Sequence, residues 1–290
     1  MSEAMSAAAG VACAPEPQGH VGGGCINECF RWHSADGWWF VKLAPVGREA
    51  MLAAEAEGLR ELAGAHAVRV PRVHALGRAH GHAFLVLEWL EQAKTTDRSQ
   101  ALLGERLAAQ HRMTASEFGW RRDNTIGLTP QVNRAEQEWL AFFREHRLRF
   151  QLTLAARNGF GSLLADRGER LLEAMPKLLA GHRPQASLLH GDLWGGNWFT
   201  EARGEPAIFD PAVYYGDREA DLAMTHLFGG FGTRFYAAYE ASWPLDAGHR
   251  ERRDLYNLYH LLNHANLFGE SYAQQAARTI DRLVGAAQRA

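Results

Sequence analysis

Short alternating runs of apolar and polar residues fill the first part of the chain, and stretches with apolar residues at three- and four-residue intervals fill the rest. Residues 20–32 hold three consecutive glycines and then alternate, while 38–43 is an aromatic and β-branched run, a pattern that predicts a hairpin opening on a glycine-rich turn. A helix is expected over 48–64, with Leu52, Leu59 and Leu62 on one face, then short strands over 72–78 and 82–88. Residues 91–100 are polar and read as a connector. Helical periodicity then dominates over 102–113, 134–157, 163–179, 218–228, 233–242 and 251–288, the last broken near Phe268-Gly269. The exception is 187–210, where Ser187-Leu188-Leu189 and Ala207-Ile208-Phe209 flank a glycine-rich turn and read as strands presenting a loop. The expectation is an α+β chain in parts: a disordered Ala-rich tail over 1–18, a small β-rich N-lobe with one main helix over 19–90, a linker over 91–101 and a larger, mostly helical C-lobe over 102–290.

Composition narrows the function classes. With 31 basic and 33 acidic residues the net charge is −2, so there is no basic surplus to neutralise a phosphate backbone, and neither nucleic acid nor an anionic membrane is an expected partner. A hydrophobic content of 47% with 9 Trp and 14 Phe excludes a disordered chain, and the longest strongly apolar run, Ala83 to Leu87, is far too short to span a bilayer. Three cysteines are too few for a disulfide scaffold and point to a reducing, cytoplasmic setting. Ala4 to Ala14 mimics a secretory leader, but no Lys or Arg precedes Arg31, so the segment reads as a cytosolic tail.

The richest chemistry lies in His190-Gly191-Asp192-Leu193-Trp194-Gly195-Gly196-Asn197, followed by Asp210 at a strand end. Phosphoryl transfer needs a carboxylate to orient the attacking hydroxyl and oxygen ligands to hold Mg²⁺ on the nucleotide. Asp192 is the candidate base, and Asn197 and Asp210 the candidate metal ligands; each alone would equally serve turn chemistry. In the N-lobe, Gly22, Gly23 and Gly24 would let backbone amides approach phosphates. Lys42 follows Trp39-Phe40-Val41, and Glu55 shares the face of Leu52, Leu59 and Leu62, so an inward carboxylate has Lys42 as its candidate partner. A rim position that snorkels to solvent is the other reading of Glu55. Glu88 and Leu90 sit where the N-lobe enters the linker and their main chain would meet a purine. His260 and His264 lie one helical turn apart without a third ligand, and Phe228, Phe231, Phe235, Tyr236 and Tyr239 are spaced as a helical core.

These residues resemble the fructosamine kinase (ketosamine kinase) family, within the aminoglycoside-phosphotransferase and protein-kinase-like fold. The matching pieces run in family order: Gly22-Gly-Gly-Cys-Ile-Asn27, Phe40-Val-Lys42, Met51 with Glu55 and Gly58-Leu59, Asn124-Thr-Ile-Gly127 with Pro130-Gln131 and Asn133, His190 to Trp198, Asp210-Pro-Ala212, and Phe228-Gly-Gly-Phe231. The resemblance implies a bilobal kinase that uses ATP and Mg²⁺ to phosphorylate the sugar 3-hydroxyl of a ketosamine, either a small molecule or a glycated protein lysine, in deglycation. It implies Asp192 as base, Asn197 and Asp210 as Mg²⁺ ligands, Lys42 as the phosphate-contacting lysine and Glu55 as its partner. Trp194 stands where protein kinases carry a lysine, which argues against a protein-kinase activity and makes it a candidate substrate contact. Asp217, Glu219 and Asp221 are acids that would meet a cationic substrate nitrogen, or, for Asp217 and Asp221, cap the helix that starts near Arg218. The short Ala-rich start departs from the family, which has a helix and strand before the glycine turn. The rival readings are a kinase for another hydroxylated amine, of the aminoglycoside or choline type, and a catalytically dead binding module. Cys25, beside Gly24, is a candidate reactive thiol that a strand over 25–29 would hold ~13 Å from Cys29, too far for an internal disulfide. The expected assembly is then a monomer, or a redox-linked dimer after oxidation.

Overall fold

Alternation in the first lobe resolves into one antiparallel sheet of β1 (Gly19–His20), β2 (Glu28–Ser34), β3 (Gly37–Pro45), β4 (Val73–Ala79) and β5 (His82–Glu88), in the order β1-β2-β3-β5-β4. The computed structural model describes residues 1–22 and 27–289, so Gly23, Gly24 and Cys25 of the glycine-rich turn lie outside the described residues. The two-residue period of β3 sends Trp39 and Val41 to one face and Phe40, Lys42 and Ala44 to the other. Lys42 is opposite Cys29 on β2 and Leu85 on β5. On its face lies α2 (Glu49–Gly64), which buries Leu52, Ala56, Leu59 and Leu62 in one apolar cluster with Ala44, Leu85 and Leu87.

The opposite face corrects the expectation of a disordered tail over 1–18. Residues 2–9 form α1 (Ser2–Ala9), which ends at Gly10 with φ 69°, and Met5 is fully buried against Trp32, Trp39, Val41, Ala75, Phe84 and Val86. The following segment runs beside β2: Ala14 N donates to His33 O (2.8 Å), Gln18 N to Arg31 O (3.0 Å), and Trp32 Nε1 to Ala14 O (2.7 Å). The cause is the sheet rather than the tail. Two tryptophans and a phenylalanine on the outer face need cover, and small alanines let a helix approach closely; burying Met5 alone is worth about 1.5–3 kcal/mol. A helix and a strand therefore do precede the glycine turn.

The polar connector supplies β6 (Gln92–Ala93) and then α3 (Asp97–His111), which starts before residue 102 because Thr96 and Ser99 form a reciprocal cap, Ser99 N to Thr96 Oγ1 (3.1 Å) and Thr96 N to Ser99 Oγ (3.0 Å). Short strands follow: β7 (Thr114–Ala115), β8 (Asn124–Ile126), β9 (Thr129–Gln131), β10 (Ala186–Leu189), β11 (Trp198–Glu201), β12 (Pro206–Ile208) and β13 (Tyr214–Gly216). The helices are α4 (Trp139–Phe142) and α5 (Phe150–Ala155) joined through a π-helical turn, then α6 (Gly161–Leu178), α7 (Arg218–Leu227), α8 (Thr233–Ser242), α9 (His249–Phe268) and α10 (Glu270–Arg289). Gly269, at φ 100°, makes the break near Phe268. The lobes are stitched behind the connector, where β6 pairs with β11 and Ile208 N donates to Arg69 O (2.9 Å). This is a bilobal, protein-kinase-like α+β arrangement. Among the described residues no helix is long and apolar enough to cross a membrane.

Candidate active site

The stretch His190 to Asn197 leaves the end of β10 as a tight loop whose backbone is held from beneath by a buried carboxylate. Asp221, on α7, accepts from His190 N (2.7 Å) and Gly191 N (2.9 Å). His111, the last residue of α3, places Nε2 3.2 Å from Asp221 Oδ2 and Nδ1 2.9 Å from the Tyr239 hydroxyl. Burial pushes the Asp221 carboxyl up, but the His111 bond, the His111 and His190 charges and the Gly191 amide outweigh it and hold the group below the ordinary carboxylate range. The His190 ring reaches across to the next strand end, Nε2 to Phe209 O (2.9 Å), and Ala212 N donates to His190 O (2.9 Å). The two loops that carry Asp192 and Asp210 are thereby set relative to one another.

Asp192 is half-buried at the mouth of this loop. Burial, with Asp210 and Asp221 adding like charge nearby, pushes its carboxyl up to about 7. Asn197 Nδ2 donates to Asp192 O (2.9 Å) and lies 3.4 Å from Asp192 Oδ2, so the amide is fixed with its oxygen left over. Asp210 takes a left-handed backbone conformation, φ 55°, which asparagine and aspartate tolerate better than most residues. Its side chain is 44% exposed, and Oδ1 bonds Lys42 Nζ. Lys42 Nζ also lies 2.7 Å from Glu55 Oε1, so the expected pairing is present and joins β3 and Asp210 to α2. Burial alone would drive the Lys42 ammonium down, but Asp210 and Glu55 more than offset it and hold it above the usual lysine range. Burial pushes Glu55 up to about 7 against the pull of Lys42.

Trp194 is 40% exposed beside Asp192, with Phe228 edge-on to it (6.5 Å between centroids) and His264 behind Phe228 (4.7 Å). The ledge is set by a meeting of glycine turns. A Cβ on Gly230, itself at φ 95°, would sit 2.5 Å from Gly195 Cα, so only paired glycines allow the 228–231 turn to touch the 190–197 loop. At the connector, Glu88 N is spent on Arg72 O (2.8 Å), whereas Leu90 makes no backbone hydrogen bond among the described residues. The Glu88 carboxylate pairs with Arg69, and a cavity of ≈ 280 Å³ opens beside them, lined also by Trp89, Leu90 and Glu201. Gly22 is described and has open space around it, but Gly23 and Gly24 are not described.

One expected substrate contact needs correcting. Asp217 is 1% exposed: it caps α7 by accepting from Glu219 N (3.0 Å), and Oδ2 is taken by His182 Nε2 (2.6 Å) and the Tyr256 hydroxyl. Glu219 is matched by Arg252 in a bidentate pair (2.7 and 2.6 Å), and Asp221 is spent on the loop, so none of the three acids is offered to a substrate. His182, Asp217 and Glu219 cluster closely enough to hold a cation. Their lone pairs are instead satisfied by Tyr256 and Arg252.

The model of the fructosamine kinase family matches residues 1–286. The chain belongs to the fructosamine kinase family. Among its relatives in the family is a probable ketoamine kinase of Synechocystis sp., 45% identical over 265 residues that cover 91% of this chain and 89% of the relative. The chloroplastic protein-ribulosamine 3-kinase of Oryza sativa subsp. indica is 40% identical over 264 residues, 90% of this chain and 77% of the relative. A crystal structure of a "putative fructosamine-3-kinase" from Haemophilus somnus superposes with a TM-score of 0.89 at 30% identity, over 97% of this chain and 96% of that one.

Within this fructosamine kinase scaffold two supporting residues had no role assigned from the sequence. Phe40 lies two residues from Lys42 on the same face, its ring centroid 6.0 Å from Nζ. His111 falls at the interval of Leu103 and Leu107 on α3, and a polar residue in that apolar row was the available signal.

Proposed function

We propose that the chain is an ATP-dependent kinase that phosphorylates the sugar 3-hydroxyl of ketosamines, small or carried on a glycated protein lysine, so that the phosphorylated adduct breaks down and frees the amine. The observation that carries the reading is the convergence of Asp192, Asn197, Asp210, Lys42 and Glu55 on one cleft beside the Trp194 ledge, in a chain of this family.

The donor set fits Mg²⁺. With Asn197 Nδ2 spent on Asp192 and Asp210 Oδ1 on Lys42, the Asn197 Oδ1 and Asp210 Oδ2 atoms remain as two hard oxygen donors. When bound, the ion would neutralise charge on the nucleotide phosphates. The protein's own part is positioning. The Asp192 carboxylate accepts the proton of the 3-hydroxyl as that oxygen forms its bond to the γ-phosphorus, while the bond to the β-bridging oxygen breaks and ADP leaves. A carboxyl held near 7 suits a base that must be ionised yet able to take a proton at neutral pH. Lys42, kept cationic by its two carboxylates, meets phosphate charge, and the Leu90 main chain is left for the purine. Trp194 and Phe228 offer apolar and π surface to the amine side of the acceptor.

ATP turnover measured across ketosamines, aminoglycosides and choline tests the reading, with the phosphate position mapped on the product. A fructose- or ribulose-derived lysine should be phosphorylated at the 3-hydroxyl. Turnover of an aminoglycoside with none of any ketosamine would replace this reading with the other small-molecule kinase, and no turnover of any would support a binding module.

A further inference from the structure

Lys42 meets Glu55 only while α2 stays seated, and in protein kinases the seating of the equivalent helix is what activation controls. Here the far side of α2 carries Glu57 and Glu61, one turn apart, and both are gripped from the second lobe. Arg122 Nη1 donates to Glu57 Oε1 (2.6 Å) and Nη2 to the Ala50 carbonyl (3.4 Å). Arg121 donates to Glu57 Oε2 from Nε and Nη2, both at 3.3 Å, and pairs with Glu61 as well. The Tyr215 hydroxyl donates to Glu61 Oε1 (2.9 Å).

The arginines sit on a rigid mount. Asp123 Oδ1 accepts from Asn133 N (2.8 Å), and the Arg122 carbonyl accepts from Asn133 Nδ2 (3.1 Å). Asn124 Oδ1 takes Asn133 Nδ2 (2.9 Å) and Gln131 Nε2 (2.8 Å), while Asn124 Nδ2 donates to Val213 O (2.8 Å). Fully buried Arg147 closes the set on Asn133 Oδ1 (2.7 Å). A ladder of buried amides thus runs from the strand segment after Asp210 to the two arginines. The helix touches the same segment directly: a Cβ on Gly58 would lie 3.1 Å from Val213 Cγ2.

We infer that Arg121 and Arg122 are positioning residues, an ionic clasp that locks α2 inward and keeps Lys42, Glu55 and Asp210 assembled without an activating event. The inference rests on the proposed role of the Lys42–Glu55 pair. It makes this kinase constitutive by construction: the charge that other kinases add to seat the helix is built into the segment just before β8.

The test uses Arg121→Ala/Arg122→Ala, Glu57→Gln/Glu61→Gln and all four substitutions together, with MgATP varied at saturating ketosamine and the melting temperature measured alongside. Each pair should lower kcat/KM for ATP about tenfold, the size a network of partly exposed pairs can carry. The fourfold variant should lose no more than the worse pair, because the groups act as a unit. Ketosamine KM, taken in a second series at saturating MgATP, should stay unchanged, a split between the two substrates that a general loss of structure would not give. A kcat/KM within twofold of wild type in both pairs, or losses that multiply in the fourfold variant, would overturn the clasp. If the arginine pair does not fold, the glutamine pair carries the same comparison. Glu55→Gln is the reference: normal ATP kinetics there overturn the Lys42–Glu55 reading and the clasp with it, whereas a large loss there beside normal clasp variants overturns the clasp alone.

Discussion

Replacing Asp221 with Asn asks how far the catalytic loop depends on one carboxylate beneath it. The wild-type group serves three donors, His190 N at 2.7 Å, Gly191 N at 2.9 Å and His111 Nε2 at 3.2 Å. An amide keeps one oxygen and turns its NH₂ toward a backbone donor, so one charge-assisted bond is lost and one buried donor is left unpaired. Those terms are about 1.5–3 and 1–3 kcal/mol, or about 3–5 kcal/mol together, since the surroundings relax in part. For a chain of this size each kcal/mol moves the melting temperature by about 2–4 °C, so a fall of about 6–20 °C is expected. Scanning calorimetry with kcat measured well below the lower midpoint is the assay, and Asp281→Asn is the control. Asp281 pairs with Arg167 (3.1 Å) and Arg170 (3.8 Å) but is 48% exposed, so its loss should shift the midpoint by under about 1 kcal/mol equivalent. The pH dependence has a definite sign. The folded-state carboxyl lies below its ordinary value, so its contribution is fully present above about pH 4 and is lost as the pH falls through the folded value. The gap between wild type and Asp221→Asn should therefore close as the pH falls below about 4. A variant that melts within 2 °C of wild type, by the ~2–4 °C scale above, with normal kcat would refute the anchoring role.

Asp192→Asn should lower kcat by ~10²-fold or more while ATP binding stays near normal, because the group acts on the hydroxyl; steady-state kinetics and ADP titration separate the two. Gly230→Ala puts a methyl group 2.5 Å from Gly195 Cα in a backbone conformation that disfavours it, so ketosamine kcat/KM should fall by more than ~10-fold while the ADP affinity holds. Trp194→Ala should raise ketosamine KM by ~10-fold and leave ATP KM alone, the split expected of an acceptor contact; equal changes in both would instead mean that the catalytic loop has shifted.

The candidate stretch 190–197 stood out because its residues lie close together: an aspartate, two glycines and an amide within one turn, then an acid at the next strand end. Glu55 was legible through its interval with Leu52 and Leu59, which turned a charged residue inward and demanded a partner. The element pattern transferred for the same reason, with α8 falling at 233–242 as the periodicity predicts and the break before α10 falling at Gly269. The order of the first eighteen residues was illegible, since alanines carry no amphipathic stripe and the surface they cover is assembled from Trp32, Trp39 and Phe84. Asp217 and Asp221 looked alike in sequence, both acids at a helix start. Only the tertiary placement of His182, Tyr256 and His111 shows that both are consumed internally. Nothing local in the sequence marks Arg121 and Arg122, because the carboxylates they meet lie far back along the chain.

The buried seat of α1 also orders events in time. Met5 packs on Trp32 and Trp39, but Ala75, Phe84 and Val86 complete its pocket, and the last two lie on the final strand of the sheet. A helix of eight residues is marginal on its own. During synthesis α1 emerges before β5 and therefore has no complete surface to rest on until β5 is made and paired. α1 is then the last piece of its own lobe to settle, and the aromatic outer face stays open to other chains for the whole of that interval.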